Sequence, residues 1–198
     1  STDWEFEFGH EDAVSDSRGF FRTCTFHEGR LYFGGSKSLP NTLFGSKIND
    51  FFNLKSAEAF DDDAIFVTIA TDTVNAITAM RSGRDLQIFT TNAEFFVPQA
   101  DLDPITPSNI VIKNATRRGA KEGLKPVSAE GGTLFIQREG KAIREFLFSD
   151  VDLSYQANNI SLLASHLIKS PRSMALRVAT STDDGDLLLI PNDTDGTM

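Results

Sequence analysis

Short apolar runs, each closed by a glycine-bearing turn, recur along the chain and constrain its fold more than any other feature. Residues 20–26 (FFRTCTF) and 30–33 (RLYF) flank the tight-turn signal HEG around Gly29. GGSKSLPN then reads as a loop, and TLFGSK at 42–47 as the next strand. Residues 51–64 are irregular, with a short helical turn, and AIFVTIA at 64–70 is rich in β-formers. VNAITAM at 74–80 fits two readings: Val74, Ile77 and Met80 share a helix face, and a strand is also compatible. RDLQIFTT at 84–91 and AEFFVPQ at 93–99 form a hairpin across Asn92, and SNIVIKNATRR at 108–118 supplies another strand.

The clearest hairpin is 131–150. Leu134 and Ile136 alternate with more polar positions, Glu139-Gly140 makes the turn, and Ile143, Phe146 and Phe148 continue on the return strand. One short α-helix is expected over ISLLASHLIK, capped by Asn158 or Asn159. Ile160, Leu163 and Leu167 share its apolar face, Leu162 lies at the margin, and Pro171 stops it. Residues 173–180 and 186–192 return to strand character.

Four stretches share one grammar of glycine turn, apolar strand and second turn: EGRLYFGG, SGRDLQIFTTNAEFFV, EGGTLFIQREGKAIREF and DDGDLLLIPNDTDG. Anchored on Leu31, Leu86, Leu134 and Leu187, they recur at intervals of 55, 48 and 53 residues. That spacing is near one propeller blade and also suits other all-β arrays. The expected fold is mainly β: a partial β-propeller-like array of short antiparallel sheets with one short α-helix. Residues 1–19 read as a lead-in segment around Trp4, and 20–198 as the propeller-like region, a fragment of a longer chain. Three to four blades do not readily close a ring, and an open array leaves an apolar face and sheet edges uncovered. Ser1 in place of an initiating Met, and the turn just before Met198, read as cut ends.

Composition narrows the functional classes. Lys and Arg total 19 against 28 Asp and Glu, a formal net charge of -9, which argues against a general nucleic-acid clamp. Seventeen residues are Phe, so aromatic mass is spent on packing. A single cysteine, Cys24, excludes an internal disulfide framework and a cysteine-only zinc site. No 18-residue apolar run and no signal peptide are visible, so no membrane insertion by this segment is expected.

No catalytic, cofactor or metal residue is assigned. Asp61-Asp62-Asp63 is the densest anionic run, but neighbouring strand residues point to opposite sides, so it reads as a solvated loop. Asp193-Thr194-Asp195-Gly196 lacks the remaining ligands of a calcium loop and reads as a turn, as does Asp183-Asp184-Gly185. His10, His27 and His166 fall in no HExxH motif, no G-x-S-x-G elbow supports a triad, and Cys24 reads as a packing thiol. Gly34-Gly35 and Gly131-Gly132 are turn glycines rather than a phosphate cradle.

Two groups point instead to assembly. Lys113, Arg117, Arg118, Lys121 and Lys125 gather within 13 positions, with Arg138, Lys141 and Arg144 nearby; they are candidates for a channel lining or a subunit interface. Leu39-Pro40 and Phe51-Phe52 are candidate assembly contacts, because adjacent Phe residues in a turn-rich segment cannot face one side of a regular strand. One then fills the core and the other meets a neighbour; the same division applies to Phe95-Phe96.

The run GRLYFGGSKSLPNTLFGSKINDFFNL, followed in order by DDDAI, VNAITAM, RDLQIFTTNAEFF, ITPSNIVIKNATRRGA, GGTLFIQREGKAIREFLFSD, YQANNISLLASHLI and DLLLI, resembles the tail-nozzle, or tail-tubular-B-like, structural proteins of short-tailed bacteriophages and prophages. The resemblance spans about residues 20–190. It implies a β-propeller with added β-domains, a homo-oligomeric ring at the distal end of the tail tube, and a conduit for DNA in transient, non-specific passage. It implies an adaptor ring and fibres or spikes as partners, a place in the virion after assembly in the host cytoplasm, and no catalytic centre or cofactor. Members of that family are generally much longer than this chain. Two alternatives remain: a β-rich recognition module for a protein or surface glycan, and a polysaccharide-degrading enzyme with two opposed carboxyl groups.

Overall fold

The computed structural model describes residues 14–55, 60–98, 104–181, 183–193 and 196–197. The chain divides into two compact units, one of residues 1–88 and 96–113, the other of 89–95 and 114–198.

In the first unit, β1 (Thr23–His27), β2 (Arg30–Gly34), β3 (Thr42–Gly45) and β4 (Ile65–Thr68) form an antiparallel meander in that order. The register pairs His27 with Arg30, leaving Glu28 (φ 47°) and Gly29 (φ 72°) as the turn. Two central residues with positive φ make the twisted turn that a right-handed hairpin needs. One face carries the row Thr25–Tyr32–Gly45–Ile65, in which Tyr32 and Ile65 are buried. Gly45 is required there, because a Cβ would stand 2.9 Å from the Tyr32 ring. β5 (Ile77–Ser82) packs near β1 and β2, its Ile77 amide donating to the Pro40 carbonyl at 2.8 Å. Gly35 (φ 77°) permits that approach, since a Cβ would sit 2.3 Å from the Ile77 carbonyl oxygen. Of residues 74–80, open between two readings, Ile77–Met80 enter a strand and 74–76 lie outside it.

A second sheet has the order β5, β6 (Leu86–Thr90), β7 (Glu94–Val97), β8 (Lys113–Thr116), and the boundary between the units falls within its strands. In the second unit, β9 (Val127–Ala129), β10 (Gly132–Ile136), β11 (Ile143–Ser149) and β12 (Ser154–Asn159) form another meander, with β9 and β12 at its edges. Its core is aromatic: Phe89 lies 5.1 Å from Phe135 and 5.4 Å from Phe146, and Phe146 stacks on Tyr155 at 4.5 Å. A two-stranded sheet of β13 (Ala175–Arg177) and β14 (Leu187–Leu189) completes the described elements.

Two expectations are corrected. The fold is mainly β but not a propeller-like array: it has four small antiparallel sheets, none closed or curled. Leu31, Leu86, Leu134 and Leu187 each fall in the second strand of a sheet, so the repeat spacing reports successive meanders. Spacing of that kind follows from strands per sheet and carries no information on how sheets pack. Among the described residues the fourth repeat yields two strands.

The expected α-helix is also absent; residues 160–164 are turns, followed by a single 3₁₀ turn at Ser165–Leu167. Its intended apolar face has nothing to pack on: Ile160, Leu163 and Leu167 are 50%, 95% and 63% exposed. So short a helix needs tertiary burial to form. Instead, the Ile160 amide extends the ladder to the Ile143 carbonyl, and the Asn159 side chain accepts from the Ser161 amide as a turn rather than a cap. Among the described residues, no helix is long and apolar enough to cross a membrane.

Candidate functional site

The first unit buries its charges for structural ends. Arg30, 1% exposed, donates from its guanidinium to the carbonyls of Ser46 (2.7 Å), Asp63 (2.6 Å) and Asp61 (2.7 Å). The backbone of the acidic run does turn inward, and the cation it receives is this guanidinium. Burial lowers the pKa of Arg30, with Tyr32, Asp62 and Asp63 opposing the shift. The Asp62 carboxylate faces outward to Lys47 at 3.0 Å, and that contact holds its pKa down. Among the described residues, no group of three or more His, Cys, Asp and Glu side chains is arranged to hold a metal ion.

His27 is buried, and its Nδ1 shares a 2.9 Å hydrogen bond with the Ser82 hydroxyl. Among the described residues its Nε2 has no hydrogen-bond partner, and the Glu28 carboxylate stands 3.9 Å away. A relay through Glu28 is therefore interrupted at that gap. Burial lowers the pKa of His27 and raises that of Glu28. His166 is exposed at the 3₁₀ turn, Cys24 is exposed on β1, and His10 lies outside the described residues.

The other face of the first sheet is aromatic. Register aligns Cys24, Phe33, Phe44 and Phe66 in one row across the four strands. Phe44 meets Phe66 edge-on at 4.9 Å, and Phe21 lies 5.0 Å from both Phe33 and Phe44. Phe26, two residues along β1, meets Phe51 edge-on at 5.0 Å. A solvated face of an antiparallel sheet is ordinarily polar. Here Phe26, Phe66 and Phe52 are 60%, 55% and 64% exposed. Of the sequence candidates, Phe51 is thus half-buried against Phe26 and Phe52 faces outward. Leu39 and Pro40 are half-buried in the loop that ties to β5. Phe95 and Phe96 are both buried, so neither is offered to a neighbour.

The second unit holds a groove of about 550 Å³, walled by Ala115–Arg118 on one side and Ser154–Asn158 with Asp152 on the other. The walls are the end of β8 and the whole middle of β12, each the last strand of its sheet. Arg117 and Arg118 are exposed at the rim, and among the described residues neither is paired with a carboxylate. Arg144 donates to the Ala157 carbonyl at 2.8 Å. Burial lowers the pKa of Arg144, and the neighbouring charge of Arg118 adds to that effect. The one carboxylate lining the groove among the described residues, Asp152, already accepts from Ser149 at 2.9 Å and from Gln156. The groove is thus a cationic spot in an acidic molecule. The basic run is divided: Lys113 and Lys125 are exposed but do not line the groove, and Lys121 donates to the Ser170 hydroxyl at 2.7 Å. Arg138 is engaged with Glu139 and Asn92, and Lys141 is exposed.

Glu94, absent from the sequence candidates, fixes this wall. It is fully buried, and one carboxylate oxygen accepts from the Thr116 hydroxyl and from the Arg118 amide at 3.1 Å. Burial raises its pKa, against the pull of these hydrogen bonds and of Arg144. The available signal is a glutamate opening the otherwise apolar run EFFV.

A comparison with models of protein families finds none that matches the chain, and no curated protein matches it.

Proposed function

We propose that this chain is a structural module of a short-tailed phage or prophage tail, part of a nozzle or tail-tube ring that carries ejected DNA and contacts neighbouring tail proteins. The observation that carries the reading is the aromatic face of the first sheet. A sheet with phenylalanine on its outer face, opposite a core face that already buries Tyr32 and Ile65, loses free energy to water unless a second surface covers it. Exposed apolar patches of this kind are used in protein assembly. The ordered run of segments across residues 20–190 points the same way. The acidic balance suits a conduit, because tight phosphate binding would obstruct passage. The polysaccharide-degrading alternative gains nothing from the groove, whose one carboxylate among the described residues is held by Ser149 and Gln156. A glycan platform is poorly served too, since the Tyr155 ring is stacked on Phe146 rather than open.

The test is the oligomeric state of the full-length protein, alone and with an adaptor ring, together with its presence in purified virions. A ring that incorporates into particles is expected. A protein that stays monomeric with the adaptor and never enters virions removes the proposal.

A further inference from the structure

We infer that the groove between Arg117 and Arg118 on one wall and the edge of β12 on the other binds a doubly charged phosphate group, free or as the monoester of a small organic molecule. The inference stands apart from the tail reading, since it rests on side chains of the second unit and calls on no partner chain.

Guanidiniums approach the groove from both walls. Arg117 and Arg118 line it just beyond β8, and both are exposed. Arg144 comes from the opposite side. The Ile160 amide donates to the Ile143 carbonyl, so hydrogen-bonded pairs alternate along β11 and β12 from that point. Ala157, opposite Phe146, therefore turns its amide and carbonyl away from β11. β12 is the last strand of its sheet, so these groups lie on the free edge at the groove wall. The Arg144 guanidinium reaches that edge, where Nη1 donates to the Ala157 carbonyl at 2.8 Å and Nε to the Gln137 side chain at 2.7 Å. Its Nη2 and the Ala157 amide have no hydrogen-bond partner among the described residues. Arg144 and Arg118 are thereby close enough to repel each other. Like charges held together in this way are relieved by an anion between them.

Charge and shape select the anion. Glu94 and Glu139 act on Arg144, and Asp152 lines the groove. Among the described residues none of these carboxylates forms an ion pair with Arg117, Arg118 or Arg144. Glu94 is buried behind the wall on Thr116 and the Arg118 amide, Glu139 pairs with Arg138, and Asp152 accepts from Ser149 and Gln156. Three guanidiniums call for more than one negative charge. Donors arriving from two walls suit a tetrahedral oxyanion better than a planar carboxylate, which a single arginine fork satisfies. Ser154 and Asn158 add a hydroxyl and an amide from the β12 side. Tyr155 is buried and stacked on Phe146, so its ring is not open to a nucleobase, and the phosphate itself is what the groove recognises. At about 550 Å³ the groove accommodates a phosphate with a small attached group, inside the range of roughly 300–1,000 Å³ for small-ligand sites. A phosphodiester carries one charge per phosphate where a monoester carries close to two, so passing nucleic acid is the poorer ligand.

Calorimetric titration of the full chain with inorganic phosphate tests the inference. One saturable site per chain is expected, its affinity falling as salt rises. Arg117→Gln combined with Arg118→Gln should weaken binding by at least about tenfold, the loss of charge-assisted hydrogen bonds. Lys113→Gln combined with Lys125→Gln removes the same charge from exposed positions that do not line the groove, and should change affinity by less than about twofold. An unchanged far-ultraviolet spectrum and melting temperature check the fold of both variants. Phenyl phosphate should bind about as well as phosphate, while dimethyl phosphate and acetate should bind at least about tenfold more weakly. No saturable phosphate binding by about 20 mM overturns the inference, and so does an equal loss in the two double variants, which would reduce the effect to overall charge. Acetate that matches phosphate overturns the phosphate class. A single-stranded oligonucleotide that binds the groove more tightly than phenyl phosphate overturns the monoester assignment in favour of a nucleic-acid backbone.

Discussion

Arg30 is a buried cation whose guanidinium hydrogen-bonds to backbone carbonyls and not to a carboxylate among the described residues. It gathers carbonyls from Ser46, Asp61 and Asp63, fastening an irregular loop to β2. Arg30→Ala removes the guanidinium donor from all three carbonyls. At about 1–3 kcal/mol for each buried unsatisfied group, a loss of at least about 3 kcal/mol is expected in chemical denaturation. Arg30→Lys should recover less than half of that, because one ammonium cannot span the fork. A lysine variant as stable as the parent would show that the charge, and not the fork, holds the loop. Glu94 poses the opposite electrostatic problem, since burial raises its pKa. The folded state therefore binds its proton more tightly than the unfolded chain does. That contribution is fully present below the ordinary carboxylate value of about 4.3 and is lost as pH rises through the folded value. His27 has the reverse sign: its lowered pKa makes stability fall as pH drops below about 6.5. Subtracting the profile of Glu94→Gln from that of the parent cancels the His27 part. The difference should drift against the parent from about pH 4.3 towards neutrality. A flat difference would mean that Glu94 does not titrate abnormally in the fold.

At the scale of elements, the turn chemistry of the chain was readable because it is local. His27-Glu28-Gly29-Arg30 closes a hairpin by backbone geometry that two residues settle between themselves. The same holds for the existence of the strands around Leu86, Leu134 and Phe146, found as β6, β10 and β11, although β6 and β10 are buried at every position instead of alternating. Residues 160–169 were misread because their apolar spacing is helical while their surroundings are not. Nothing packs on Leu163, and the Ser161 hydroxyl is engaged by the Ile143 amide at the sheet margin. Tertiary contact decided against local pattern there. The basic run was legible as composition only. That Arg117 and Arg118 reach a groove while Lys121 turns to Ser170 depends on where β8 ends. That ending is set by Glu94, some twenty residues away in sequence.

At the scale of the whole molecule, the repeated meanders supply sheets but not their cover. The first sheet has a filled inner face and an aromatic outer one, and this asymmetry distinguishes stability from assembly. Substituting Phe26 and Phe66 by serine removes side chains already more than half in water. The folding free energy should therefore change by no more than about 1–2 kcal/mol, far below the cost of truncating a fully buried phenylalanine. Association through that face should respond much more strongly, because the apolar area is withdrawn from the complex rather than from the core. The doubly substituted full-length protein is expected to melt close to the parent and to bind its neighbours at least tenfold more weakly. Phe44→Ala on the same row is the contrast: at 3% exposure it should cost about 3–5 kcal/mol. If the serine variant melts as low as Phe44→Ala, the outer phenylalanines belong to the fold. If it assembles like the parent, the face that carries the functional proposal is not the one that meets a partner.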